Sequence, residues 1–269
     1  MIRKLYHIAK DFSADVKKQN ISAFAASTAF FLFLSLVPML IVISAIIPHT
    51  PLTQQNLVNA VTEITPDIAD ALAARLVAEV YKRSGEVLSI AALTTLWSAG
   101  KGVLALMRGL NAINDTEEHR NYVEVRLIAS MYTVVMLIIM ILSLFLMVFG
   151  EQLVNLILYR VPQTRPLFDF LMNFRFLAVW FVLTIMFSAI YAYVPDKKLI
   201  FKDQIPGAAF TAVVWSVYSW GFALFVGRSE AYSVYGSLSI VIIIMVWLYA
   251  CMYIALIGAY INKYLEQEI

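Results

Sequence analysis

Between Ile128 and Phe149 the chain runs through 22 residues without one charged side chain. More than about 18 apolar residues in a row are enough to cross a ~30 Å hydrocarbon core as a helix. Four further stretches pass the same test: Ala23–Ile47, Phe176–Val194, Ile205–Val226 and Leu238–Tyr260. Composition agrees, with 61% hydrophobic and 14% charged residues, against roughly 45–50% and 25% in soluble domains. In lipid the backbone must satisfy its own hydrogen bonds, and runs of this length do so as helices. The sequence therefore predicts an all-α integral membrane protein, with residues 1–269 forming a single polytopic membrane domain.

A sixth span is less plain. The stretch 87–106 holds 14 uninterrupted residues, "VLSIAALTTLWSAG", before Lys101. Charge placement decides, because lysine and arginine favour the cytoplasmic side. With six spans and a cytoplasmic N-terminus, 13 of the 20 basic residues fall inside; with five spans only 9 do. The expectation is six transmembrane helices at about 23–47, 87–106, 128–149, 176–194, 205–226 and 238–260, both termini cytoplasmic. The first 22 residues lack the apolar centre of a signal peptide, so the first span itself serves for targeting. In the first extracytoplasmic loop, Thr65 and Pro66 fit a helix start, and Ile68, Leu72, Leu76 and Val80 recur at helical spacing. That pattern predicts an amphipathic helix over about 66–82, lying over the bundle or on the membrane surface.

The segment "LWSAGKGVLALMRGLNAIN" combines glycines with Lys101 and Arg108. It is no phosphate loop: Gly102 stands where Ser or Thr must follow the lysine, and Thr95 where the first glycine belongs. On a helix, Thr94, Trp97, Lys101, Arg108, Asn111 and Asp115 share one broad face. A charge facing lipid is expensive, so this face is expected to look into the bundle or a wet cavity. One reading is a cationic anchor for an anionic substrate, formed by Lys101, Arg108, Asn111 and Trp97. The other is a topology signal that binds ordinary anionic lipid, with Lys101 near the inner end of its span.

Pro38 interrupts the first span and frees the Leu34 carbonyl, which Ser35 is near enough to help satisfy; a kink follows, as hinge or as fixed shape. Small residues four apart (Ser22 and Ala26, Ala25 and Ala29, Ala208, Ala212 and Ser216, Ser219 and Ala223) suit close helix packing. Tyr232, Tyr235 and Gly236 lie in a short outer turn that either caps an entry path or simply reverses the chain. The lone Cys251 reads as a buried thiol, without a disulfide or metal cluster.

Five motifs in order, "AASTAFFLFLSLVPMLI", "LWSAGKGVLALMRGLNAI", "IYAYVP", "PGAAFTAVVW" and "YSVYGSLSIVIIIMVWLYACMYIALIGAYIN", resemble the YihY/BrkB membrane proteins from about residue 20 to 262. The resemblance implies a six-helix protein of the bacterial cytoplasmic (inner) membrane. It also places Trp97, Asn111, Pro38, Tyr235 and Gly236 at family-pattern positions, with hints of envelope lipid export and serum resistance. One departure stands out: the last span has Tyr260 after Gly258 and Ala259, where the family usually carries glutamate. The family once bore a ribonuclease label, but His7, His49 and His119 are far apart and no helix face gathers three acids. The expected function is a non-enzymatic transporter or lipid-handling protein for an anionic lipid or solute. It needs no cofactor or metal and binds no nucleic acid; membrane lipids, its own copies or an envelope protein are its partners. The alternative is a structural or assembly factor of the envelope, without transport.

Overall fold

A computed structural model describes residues 16–46, 55, 58–59, 78, 88–166, 174–228 and 237–268. Within these lie six long helices: α1 (Ile21–Ile46), α2 (Leu88–Ile113), α3 (Tyr122–Arg160), α4 (Arg175–Tyr193), α5 (Ile205–Arg228) and α6 (Ser237–Glu268). No strand occurs among the described residues. Two stretches, Phe201–Val226 and Val241–Glu266, are long and apolar enough to cross a membrane, and Ile21–Leu36 and Leu177–Tyr193 are shorter apolar helices. Apart from Ala78, the amphipathic segment 66–82 lies outside the described residues, as do Tyr232, Tyr235 and Gly236.

The helices outrun the apolar windows that mark them. Where apolarity suggests 87–106, α2 continues to Ile113; where it suggests 128–149, α3 spans 39 residues, about 58 Å at 1.5 Å per residue. Hydropathy detects the lipid-compatible part of a helix, whereas the backbone ladder stops only where caps intervene. Asn121 begins α3 with a capping box: its side chain accepts from the Glu124 N–H while the Glu124 carboxylate accepts from the Asn121 N–H. Asp115 ends α2 in the left-handed region at φ 47°. The Thr116 N–H reaches the Asn111 carbonyl and the Asp115 N–H that of Ala112, a Schellman closure with aspartate where glycine is commoner. Pro195 follows α4 and forbids its continuation.

Neighbouring helices pack in the order α3, α2, α1, α6, α5, α4. Tyr132 on α3 then donates to the Tyr193 carbonyl at the end of α4, at 2.8 Å. The main cluster of buried apolar side chains occupies one end of this array. It draws Ile21 and Ala25 from α1, residues 103–113 from α2, Val125 and Ala129 from α3, Phe187 and Tyr191 from α4, Ala208 from α5 and residues 255–260 from α6. The starts of α1, α3 and α5 and the ends of α2, α4 and α6 therefore meet there. Small residues serve in part as the spacing suggests: Ala25, Ala29, Ala208 and Ala212 are wholly buried, as is Cys251, whereas Ser22, Ala26 and Ala223 are exposed. Ser35 departs from expectation, since its hydroxyl donates to Leu32 (2.6 Å) and not to the Leu34 carbonyl that Pro38 frees. A serine hydroxyl reaches back along its own helix, whereas the Leu34 carbonyl points forward, away from it.

The tightest approach joins α5 to α6. A Cβ on Gly207 would overlap the Gly258 carbonyl oxygen and come within 2.6 Å of Asn262 Oδ1. A Cβ on Gly258 would overlap Thr211 Oγ1 and lie 2.8 Å from the Tyr191 hydroxyl. Gly221, further along α5, has nothing within 4 Å of such an atom. Gly207→Ala is expected to push the helices apart and cost about 2–3 kcal/mol, the scale of overpacking. Gly221→Ala is expected to stay within about 0.5 kcal/mol, as for an exposed position away from packing contacts. Thermal unfolding of both variants in one detergent separates the two outcomes.

Candidate functional site

Of the four residues expected to anchor an anion, the structure brings Lys101 and Trp97 together, leaves Arg108 exposed two turns away and engages Asn111 elsewhere. Lys101 is half-buried, and its Nζ lies 5.3 Å from the Phe31 ring centre and 5.2 Å from that of Trp97. Trp97 is 55% exposed. Arg108, two turns further along α2, is exposed. Asn111 is buried and engaged on both sides of its amide: Nδ2 donates to Glu118 Oε2 at 2.9 Å, and Oδ1 accepts from the Asp196 N–H at 2.9 Å.

Sequence reasoning missed a third partner, Arg126. Its Cζ stands 4.4 Å from the Trp97 ring centre, and its Nη2 donates to the Trp97 carbonyl at 2.8 Å. The Arg126 guanidinium also lies over Gly100, where an added Cβ would meet Nη1 at 3.5 Å, an ordinary contact. Arg126 lies on α3, 25 residues from Lys101, so no single-helix face could reveal the meeting.

Because α2 runs from Leu88 to Ile113, Lys101 falls at the midpoint of the helix, while within the apolar stretch 87–106 it lies near the inner end. Phe31, the aromatic beside it, lies ten residues into α1. Both helices thus place Lys101 about 15 Å from the end where Asn111 and Ile21 lie.

The end of the bundle holds a separate polar cluster. Arg120 Nε lies 2.6 Å from Glu118 Oε1 and 2.9 Å from Asp196 Oδ1. His119 Nδ1 lies 3.1 Å from the other Asp196 oxygen. Together with Asn111, these groups tie the α2–α3 loop to the segment after α4, and Lys263 on α6 pairs with Asp115. Burial would raise the Asp196 carboxyl, but the bonds from His119 and the Arg120 charge outweigh it and hold the group below its ordinary value. The Arg120 hydrogen bond does the same for Glu118. Both carboxylates are committed to Arg120, and no group of three metal-ligating side chains occurs among the described residues.

A third feature is a recess of about 240 Å³ between α1 and α6, lined by Ala26, Ala29, Met245, Val246 and Tyr249. Its lining is apolar and does not include Lys101.

Depressed carboxyl values mean that the end cluster stabilises the fold at neutral pH. That contribution is present above the unfolded carboxylate values near ~4 and is lost as the pH falls through the lower folded ones. Melting temperature is therefore expected to hold from about pH 7 to 5 and to drop below about pH 4. Asp196→Ala should lower stability by about 1–2 kcal/mol at pH 7, discounted for partial exposure, and flatten that acid drop.

The sequence matches the family described as Virulence factor BrkB over residues 12–269. Among named relatives, a "Putative ribonuclease-like protein YfkH" of Bacillus subtilis is 31% identical over 91% of this chain and 90% of its own length. A UPF0761 membrane protein of Vibrio parahaemolyticus is 26% identical over 91% of this chain and 77% of its own. Another from Vibrio atlanticus is 27% identical, covering 91% and 78%. No solved structure matches.

Proposed function

The chain belongs to the virulence factor BrkB family of bacterial membrane proteins, and on that footing we propose that it handles an anionic lipid or solute without catalysing a reaction. In this reading it crosses the cytoplasmic membrane six times with both termini inside. The alternation of helix ends at the polar end of the bundle supports that topology, as does the bias of basic residues toward the segments assigned to the inside.

The observation that carries the functional reading is Lys101. It stands at the midpoint of α2, faced by two aromatic rings, with no carboxylate paired to it among the described residues. Arg108 lies seven residues away on the same side of the helix, two turns or about 10 Å nearer the polar end. The two charges form a short cationic track running from that end toward the middle of α2. An anionic group following the track is attracted throughout, while its apolar remainder stays in the bilayer. Asn111 serves differently: its amide closes the helix end and does not face the track.

The cluster of acids and histidine among the described residues supports a non-enzymatic role, because Arg120 already engages both of its carboxylates. The alternative, a structural or assembly factor, draws on the dense glycine-mediated packing of α5 on α6 beside α4.

Native mass spectrometry of the gently purified wild type beside a Lys101→Gln/Arg108→Gln variant tests the choice. Loss of charge-assisted contacts should cut retention of an anionic lipid or solute by roughly tenfold. If both proteins carry the same bulk lipids, the charges act as topology signals and the assembly role takes first place.

A further inference from the structure

Lys101 and Arg126 both stand against Trp97, which sets their charged groups less than about 10 Å apart. Ring faces hold such cations but carry no net charge. Two positive charges therefore stand at one ring. Among the described residues no carboxylate forms an ion pair with either.

The surroundings say from which side a counter-charge arrives. On α1, Phe30 and Leu34 flank Phe31 and are exposed; on α3, Leu127 and Met131 follow Arg126 and are exposed. In a chain that crosses the membrane as proposed above, such exposed apolar side chains face lipid. The Trp97 ring and its two cations thus stand beside a lipid-facing surface. Arg126 spends one N–H on the Trp97 carbonyl, and its remaining donors form a fork that suits a tetrahedral oxyanion. Lys101 adds a second charge at the same ring.

We infer that Lys101, Arg126 and Trp97 form a lateral binding site for a phosphate-type oxyanion, presented by the headgroup of an anionic phospholipid. The acyl chains then lie against the exposed apolar side chains of α1 and α3. This rests on the anion-handling role proposed above and adds to it a residue, Arg126, a ligand class and a side of entry. Arg108 belongs to the track and not to the site.

The test places the full chain in phosphatidylcholine vesicles containing brominated phosphatidylglycerol or brominated phosphatidylcholine. Quenching at the site is the difference between wild type and Trp97→Phe. Brominated phosphatidylglycerol should quench this signal several-fold more per mole than its zwitterionic counterpart. Lys101→Gln and Arg126→Gln should each reduce that preference roughly three- to tenfold. Arg126→Lys, which keeps the charge without the fork, should fall between and carries the test if Arg126→Gln does not fold. Equal quenching by the two lipids overturns the inference, as does a preference that survives loss of both charges. If the lipids quench equally but soluble glycerol phosphate shifts Trp97 emission, the oxyanion comes from water and the lipid assignment falls. Lipid preference at Trp97 without headgroup movement across the vesicle keeps the site and removes transport. Headgroup movement without that preference removes the site alone.

Discussion

Asn262 ties the end of α6 to the start of α5 through three bonds, and those bonds set how the neighbouring helices can stand. Its Oδ1 accepts the Gly207 N–H at 2.6 Å, one of the donors that a helix start leaves without a partner. Its Nδ2 donates to the carbonyl and side-chain oxygens of Gln204. Away from water, leaving such groups unmet costs several kcal/mol, so the side chain is as much a constraint as a contact. With α5 held at that distance, only glycine fits at 207 and 258. Tyr191 on α4 then reaches across to bond Thr211 Oγ1 and the Ala255 carbonyl. Helices α4, α5 and α6 are thereby locked by polar bonds within apolar packing.

The other half of the bundle is built on different terms. Its closing bonds lie at the helix ends, where Asn111 holds both Glu118 and Asp196, and where Gln19 reaches the Ile113 carbonyl. Further from that end, α1, α2 and α3 meet around cations and rings and not around paired polar groups. On one side the polar groups that join the helices bond one another, although Ser188 Oγ on α4 is buried without a partner, while the other side keeps two positive charges partnered, among the described residues, by aromatic faces and a carbonyl. A rigid half beside a half with unspent charge is a workable plan for a protein that must stay folded while a charged ligand comes and goes.

Much of the fold was legible because lipid imposes long apolar runs, and those runs announced the helices. Their ends were harder to read. The window closing at residue 106 stops where hydropathy falls, yet α2 continues because Arg108 and Asn111 are compatible with the helical ladder and only the Schellman closure at Asp115 ends it. The signal for the start of α3 was present, since Asn121 followed three residues later by Glu124 spells a capping box. Spacing alone found the buried alanines of α1 and α5. It could not find the use of Asn111, whose partners lie 7 and 85 residues away along the chain. The same face of α2 holds Trp97, Lys101 and Asn111, but helical periodicity says only that they share a direction. What they meet depends on which neighbour covers each level.

Arg126 shows why that distinction matters. Read along the chain, it is one of several basic residues before an apolar span, the commonest kind of topology signal. Read in space, it is the second cation at the face of Trp97. The two cations repel each other, and the ring they share, which returns about 0.5–2 kcal/mol, carries no net charge. Nothing else described within the bundle supplies the missing negative charge. Binding an oxyanion would offset that repulsion, so the same imbalance gives the pair affinity for an anionic headgroup.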